Sequence, residues 1–196
     1  MHFTKYIRLT LFALALIPLC WLIMLLTHES GHVITAIIFN VEVEQVELNP
    51  LTFSRTDFAH SCHDAAIVWG GGIGGAMIPL LIWVLWRFFK IPGDQFGRFI
   101  AGFCLIANGV YFGFDYSGGN LTDGGKLLAQ GVSRTYLTSF GVLCLAAGLA
   151  LWNGQGRRWG INAESLLISN RALIILYLCL IALFISEWIL FPPGAG

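Results

Sequence analysis

Apolar positions fall into five runs long enough to be helices, separated by short polar stretches. The first covers residues 8–39 and holds no charged residue from Leu9 to Leu26. Pro18 predicts a kink in it, because proline removes a helix hydrogen bond. The later runs cover residues 65–89, 98–114, 135–152 and 171–191. Each is long enough to cross the ~30 Å hydrocarbon core of a bilayer. Between the first two runs the period changes. Val41-Glu42-Val43-Glu44-Gln45-Val46-Glu47-Leu48 alternates apolar and polar residues, which is the pattern of a strand. Asn49-Pro50 breaks it and residues 51–58 supply a return strand, so a β-hairpin is expected directly after the first helix. Its exposed edge is also a surface to which an extended peptide could add as a strand. A basic loop is expected over residues 87–98. A polar, glycine-rich break over residues 115–125 leads into a short helical segment, residues 126–132.

Composition agrees with this pattern. The 196 residues are 57 % hydrophobic and 11 % charged, with mean hydropathy +0.75. The expected fold is an all-α multi-pass membrane protein: about five transmembrane helices and a short membrane-associated β-hairpin, in a single membrane domain over residues 1–196. The compact length suits a bacterial cell inner membrane. Formal net charge is zero, so nothing points to nucleic acid as a partner; the bilayer is the expected surrounding. Cys20, Cys62, Cys104, Cys144 and Cys179 stand singly, and four lie in apolar runs, as small buried hydrophobes rather than a disulfide framework. Lys5 and Arg8 ahead of the first run resemble a signal peptide, but the run is too long and lacks a small-residue cleavage site, so a retained helix is expected.

One stretch carries chemistry. Thr27-His28-Glu29-Ser30-Gly31-His32 contains an H-E-x-x-H motif, and the apolar pattern resumes at once in Val33 to Phe39. On a helix, positions i and i+4 share a face. His28 and His32 can therefore present two imidazole nitrogens to one metal ion, with Glu29 placed to act as a base. Ionisable residues at membrane depth are expensive and mark functional sites. His60, His63 and Asp64 form a second cluster, read as a polar start to the next helix rather than a second metal site. Gly70 to Ala76 opens that helix, and the Gly71/Gly75 pair is expected to pack tightly against the metal helix. Asp115 and Asp123, in the polar break, are candidates for a third metal ligand. Glu187 is expected to reach the membrane interface.

These features resemble the site-2 protease family of intramembrane zinc metalloproteases. The likeness rests on His28-Glu29-Ser30-Gly31-His32, on the hairpin after it, and on Asp123-Gly124 at the start of a later helical segment. It covers residues 20–132, within a catalytic core of about 8–132; residues 135–191 supply two accessory helices. The resemblance implies that His28, His32 and Asp123 hold one Zn²⁺, with water in the fourth position and Glu29 as general base. It implies cleavage of a peptide bond in or near a transmembrane segment of a membrane protein substrate. The family carries an asparagine eight residues before the ligand aspartate, where this chain has Asp115; Asn120, Asn108 and Asp115 are therefore the candidate oxyanion or substrate contacts.

Other readings remain. A prenyl-protein protease type of zincin would need Glu164 or Glu187 as third ligand. A metal-binding scaffold without catalysis, or a small transporter using the polar break, would share the fold. Charge and resemblance disagree on orientation. Lys5, Arg8, Arg87, Lys90, Arg98, Arg157, Arg158 and Arg171 fall on one side, and Arg55, Lys126 and Arg134 on the other. The positive-inside rule then puts the metal end outside the cytoplasm, whereas the resemblance implies a site facing the cytosol.

Overall fold

The structure, a computed structural model, describes residues 2–48, 54–114, 122–161 and 167–191. It is 77 % helical, with five helices long and apolar enough to span a membrane and one two-stranded antiparallel hairpin. In chain order the elements are α1 His2–Ile38, β1 Val43–Glu47, β2 Arg55–Phe58, α2 Asp64–Phe88, α3 Asp94–Phe114, α4 Asp123–Ala129, α5 Arg134–Trp152, α6 Gln155–Arg158 and α7 Asn170–Leu190.

Helix α1 runs as one 37-residue element through Pro18, and it is the axis of the molecule. Its N-terminal half packs Phe12, Ala15, Leu16, Leu19 and Cys20 against Leu176 of α7 and against Trp159 and Ile168. Its C-terminal half changes character. There Thr27, Ser30 and Thr35 donate their hydroxyls to the carbonyls of Ile23, Leu26 and Gly31, at 2.8, 2.6 and 2.8 Å. Each hydroxyl is satisfied four residues back along its own helix, so these polar groups need no outside partner.

Against this half lies α2. The backbones meet at Gly31, Gly70 and Gly74: a Cβ on Gly74 would sit 2.5 Å from Gly31 Cα, and one on Gly70 would sit 2.7 Å from Gly31 O. The tight packing foreseen from the glycines is present, but one residue round the helix from the Gly71/Gly75 pair. Gly71 and Gly75 do something else. A Cβ on Gly71 would strike the His32 ring, and one on Gly75 would sit 2.5 Å from Asn108 Oδ1. They leave room for side chains of the centre described below.

Several expectations shift. The 87–98 loop is shorter, because α2 continues to Phe88 and α3 already starts at Asp94; Arg87 and Arg158 both approach the Asp94 carboxylate. The short segment expected over residues 126–132 starts three residues earlier, at Asp123, where the Thr122 hydroxyl accepts from Gly125 N at 3.2 Å. Cys179 is exposed, unlike Cys20, Cys104 and Cys144. Glu187, expected at the membrane interface, is instead buried against the protein near the end of α7, at 2 % exposure. Both of its oxygens lack a hydrogen-bond partner among the described residues.

The hairpin pairs Val43 with Phe58 and Glu47 with Arg55, with a register irregularity between Val43 and Gln45. It is anchored by Leu48, which packs on Met24, Leu25 and Cys104. Burying that side chain contributes about 1.5–3 kcal/mol, enough to hold a short hairpin on the helices. The turn residues 49–53 lie outside the described residues.

The helix ends agree with the basic-residue count. Lys5 donates to Ile161 O at 2.7 Å and Arg8 to Ile168 O; Arg98 donates to Asn153 O at 3.1 Å. The start of α1, the end of α2, the start of α3, α6 and the start of α7 thus share one end of the bundle. The hairpin and α4 lie at the other. Large apolar side chains point outward along the helices, among them Leu81, Ile82 and Leu85 on α2 and Ile174, Leu178, Ile181 and Ile185 on α7. A water-facing surface rarely carries so continuous an apolar area.

Candidate metal centre

His28 and His32 lie one turn apart on α1, and Asp123 is the first residue of α4. All three are buried, with 6, 5 and 6 % exposure. Their ligand-type atoms converge. His28 Nε2 lies 2.9 Å from Asp123 Oδ2, His32 Nε2 lies 3.2 Å from the same oxygen, and the two Nε2 atoms are 3.2 Å apart.

The proton arrangement decides what this triangle means. His32 Nδ1 faces the Ile67 carbonyl at 2.8 Å. A carbonyl only accepts, so Nδ1 carries the proton. His28 Nδ1 faces Asn108 Oδ1 at 2.7 Å. The Asn108 amide is oriented by its Nδ2, which donates to Cys104 O at 2.9 Å. His28 Nδ1 therefore carries a proton too. Both Nε2 atoms are left with lone pairs, facing each other and a carboxylate. One proton would satisfy one edge of that triangle; a cation at its centre satisfies all three. The edges are also close to the size a metal ion needs. Bonds of 2.0–2.2 Å around a tetrahedral zinc ion imply ligand–ligand separations of about 3.3–3.6 Å, a few tenths of an ångström longer than these edges. The donor set, two imidazoles and one carboxylate with Nδ1 protons held from behind, fits a divalent transition metal.

Glu29 is not one of the three converging residues. Its two oxygens accept from Ser54 Oγ and Thr56 Oγ1, both at 2.7 Å. Ser54 just precedes β2 and Thr56 lies in it, two residues apart and so on one face of the strand. The hairpin thereby orients the carboxylate. Neither hydroxyl stood out in the sequence, although a Ser-x-Thr step in the strand after an H-E-x-x-H helix was the available sign.

Asn108 borders the cavity described below. It is 1 % exposed and stands behind His28, with its Oδ1 facing that ring's Nδ1. Tyr111 packs edge-on against the same ring, with centroids 5.7 Å apart, and its hydroxyl accepts from Asp123 N at 3.3 Å. Asp115, Asn120 and Glu164 lie outside the described residues. Glu187 is not part of the group: among the described residues, His28, His32 and Asp123 form the cluster able to hold a metal. His60 and His63 do not belong to the metal-capable group found among the described residues. His60 Nδ1 pairs with Asp64 Oδ2 at 2.7 Å, and Asp64 Oδ1 accepts from Ser61 N at 2.8 Å, so this cluster is the start of α2.

Glu29, the three converging residues and Lys126 border one cavity of about 700 Å³. Its polar end is the centre just described, flanked by β2. Its apolar part runs along α1 and α3 past Met24, Leu25, Phe103 and Ile106 toward Trp21 and Trp152. That volume is in the range of ligand-binding clefts. No protein-family model matches this chain, and no curated protein or solved structure is significantly similar to it.

Proposed function

We propose that this chain is an integral membrane zinc metalloprotease of the site-2 protease type, cutting a peptide bond in or near a transmembrane segment of a protein substrate. The observation that carries the reading is the convergence of His28 Nε2, His32 Nε2 and Asp123 Oδ2 at 2.9–3.2 Å, with both Nδ1 protons turned outward. A zinc ion held by these three residues would supply a Lewis acid with its fourth position open to water.

The chain's own residues do the rest. Glu29, held by Ser54 and Thr56, takes a proton from the attacking water and returns it to the leaving amine. The apolar length of the cavity receives the lipid-facing part of the substrate, and burial there keeps bulk water from the site. A transmembrane helix hides its peptide bonds in its own hydrogen bonds, so the segment is cut where it is unwound. The hairpin beside Glu29 offers backbone partners to such an extended stretch. Counting basic residues, the end with Lys5, Arg8, Arg98 and Arg158 faces the cytoplasm, and the metal centre lies toward the opposite face.

Glu29→Gln tests the reading. With purified protein in detergent and a labelled transmembrane-segment reporter, cleavage should fall by roughly 10²–10⁴-fold, the usual contribution of a general base, while bound zinc stays unchanged. A chain that holds zinc and whose function survives Glu29→Gln is a scaffold or transporter.

A further inference from the structure

Hydrolysis of a peptide leaves one requirement that the residues above do not meet. As water adds to the carbonyl carbon, the C=O π pair moves onto the oxygen; when the C–N bond breaks, that pair reforms the carbonyl and the amine leaves with the proton Glu29 held. The transient oxyanion needs a hydrogen-bond donor facing it. The position eight residues before Asp123 is Asp115, a carboxylate, which donates only when protonated.

The cavity narrows the choice of donor. Ser54 and Thr56 spend their hydroxyl protons on Glu29. Asn108 stands behind His28, and its amide donates to Cys104 O. Arg55 is paired with Glu47 and Asp57, both at 3.2 Å, and is more than half exposed. The Tyr111 hydroxyl accepts from Asp123 N, and as a neutral donor it is a weaker partner for an oxyanion than a cationic one. Lys126 remains. It borders the same cavity, and its Nζ lies 3.6 Å from Asp123 Oδ1, the carboxylate oxygen turned away from the histidines. That separation is longer than a hydrogen bond, so its three N–H groups can turn to a ligand. Local structure explains the placement. Thr122 caps α4 at its start, and Asp123 and Lys126, three residues apart, occupy one face of that helix.

We infer that Lys126 is a catalytic residue of this site, the donor that binds the scissile carbonyl oxygen and stabilises the oxyanion that forms on it. The inference rests on the protease reading and deepens it. A competing role is neutralising Asp123, and the two separate in experiment.

The test uses full-length protein loaded with zinc or cobalt(II), as wild type, Lys126→Met and Lys126→Arg. The first readout is metal per chain. The second is binding of a peptide phosphonate, whose tetrahedral anionic oxygens mimic the oxyanion, followed through the visible spectrum of the cobalt form. The third is kcat and KM on the reporter peptide. Lys126→Met should keep its metal, bind the phosphonate roughly 10²–10³-fold more weakly, and lose kcat by a similar factor with KM little changed; Lys126→Arg should recover much of both. Loss of metal in Lys126→Met, or phosphonate binding equal to wild type, overturns the assignment of Lys126. Absence of bound metal in the wild type instead overturns the protease reading itself.

Discussion

The chain holds two groups of two histidines and an aspartate, and they have opposite fates. His60, His63 and Asp64 are close in sequence, yet His60 is fully exposed at its side chain, and His63 stacks on Phe39 with ring centroids 4.4 Å apart. Asp64 is spent on Ser61 and His60 at the start of α2. Asp123 is 95 and 91 residues from His28 and His32 in sequence, yet the three acceptor atoms meet in a buried triangle. The difference lies in what stands behind the rings. Ile67 O and Asn108 Oδ1 hold the Nδ1 protons of His32 and His28 on the far side, and Gly71 leaves room for the His32 ring. Nearness of ligand-type residues makes a cap or a salt bridge; a metal centre also needs acceptors behind the rings and a lone pair from each partner in front.

The sharpest way to break this contrast is to remove one histidine from each group. His32→Ala should abolish zinc binding, whereas His63→Ala should leave it at the wild-type level, measured as metal per chain after gel filtration. Loss of zinc in both would mean that the second group contributes after all.

A smaller effect sharpens the argument about support from behind. Asn108→Ala keeps all three ligands and removes the acceptor for His28 Nδ1. Zinc affinity should fall about 10–100-fold, the usual cost of losing such a partner, measured by competition with a chelator. Unchanged affinity would show that His28 is oriented by ring packing from Tyr111 and Phe112 alone.

The smallest effect belongs to the exposed group. Asp64, by hydrogen bond and charge, raises the pKa of His60 above its ordinary value near 6.5. A raised folded-state pKa stabilises the fold fully below the unfolded value and loses that contribution as pH rises through the folded one. His60→Ala should therefore lower the melting temperature slightly at acidic pH and converge with wild type at alkaline pH. A difference that grows with pH would contradict the pairing.

Much of this was legible from hydrophobic pattern alone. The order of five apolar helices, the hairpin after α1 and the i, i+4 histidines follow from period and spacing. What was hidden depends on which faces meet. Residues 70–76 are five glycines, one isoleucine and one alanine, and nothing in that run says whether Gly70/Gly74 or Gly71/Gly75 meets α1. The end of α2 and the start of α3 carry charged residues that look like loop, yet Arg87 and Arg158 both approach Asp94 and Arg98 donates to Asn153 O at the bundle end. Glu187 sits near the end of an apolar run, where a carboxylate ordinarily reaches water, and only the three-dimensional packing buries it. Ser54, Thr56 and Lys126 gained their roles through contacts 25, 27 and 3 residues away from Glu29 or Asp123.

The central claim is that His28, His32 and Asp123 hold one metal ion. Zinc per chain, measured on detergent-purified wild type, Asp123→Ala and Asp115→Ala, tests it most directly. About one zinc in wild type and in Asp115→Ala, lost in Asp123→Ala, is the predicted result. Zinc retained in Asp123→Ala, or none bound by the wild type after reconstitution, would contradict it.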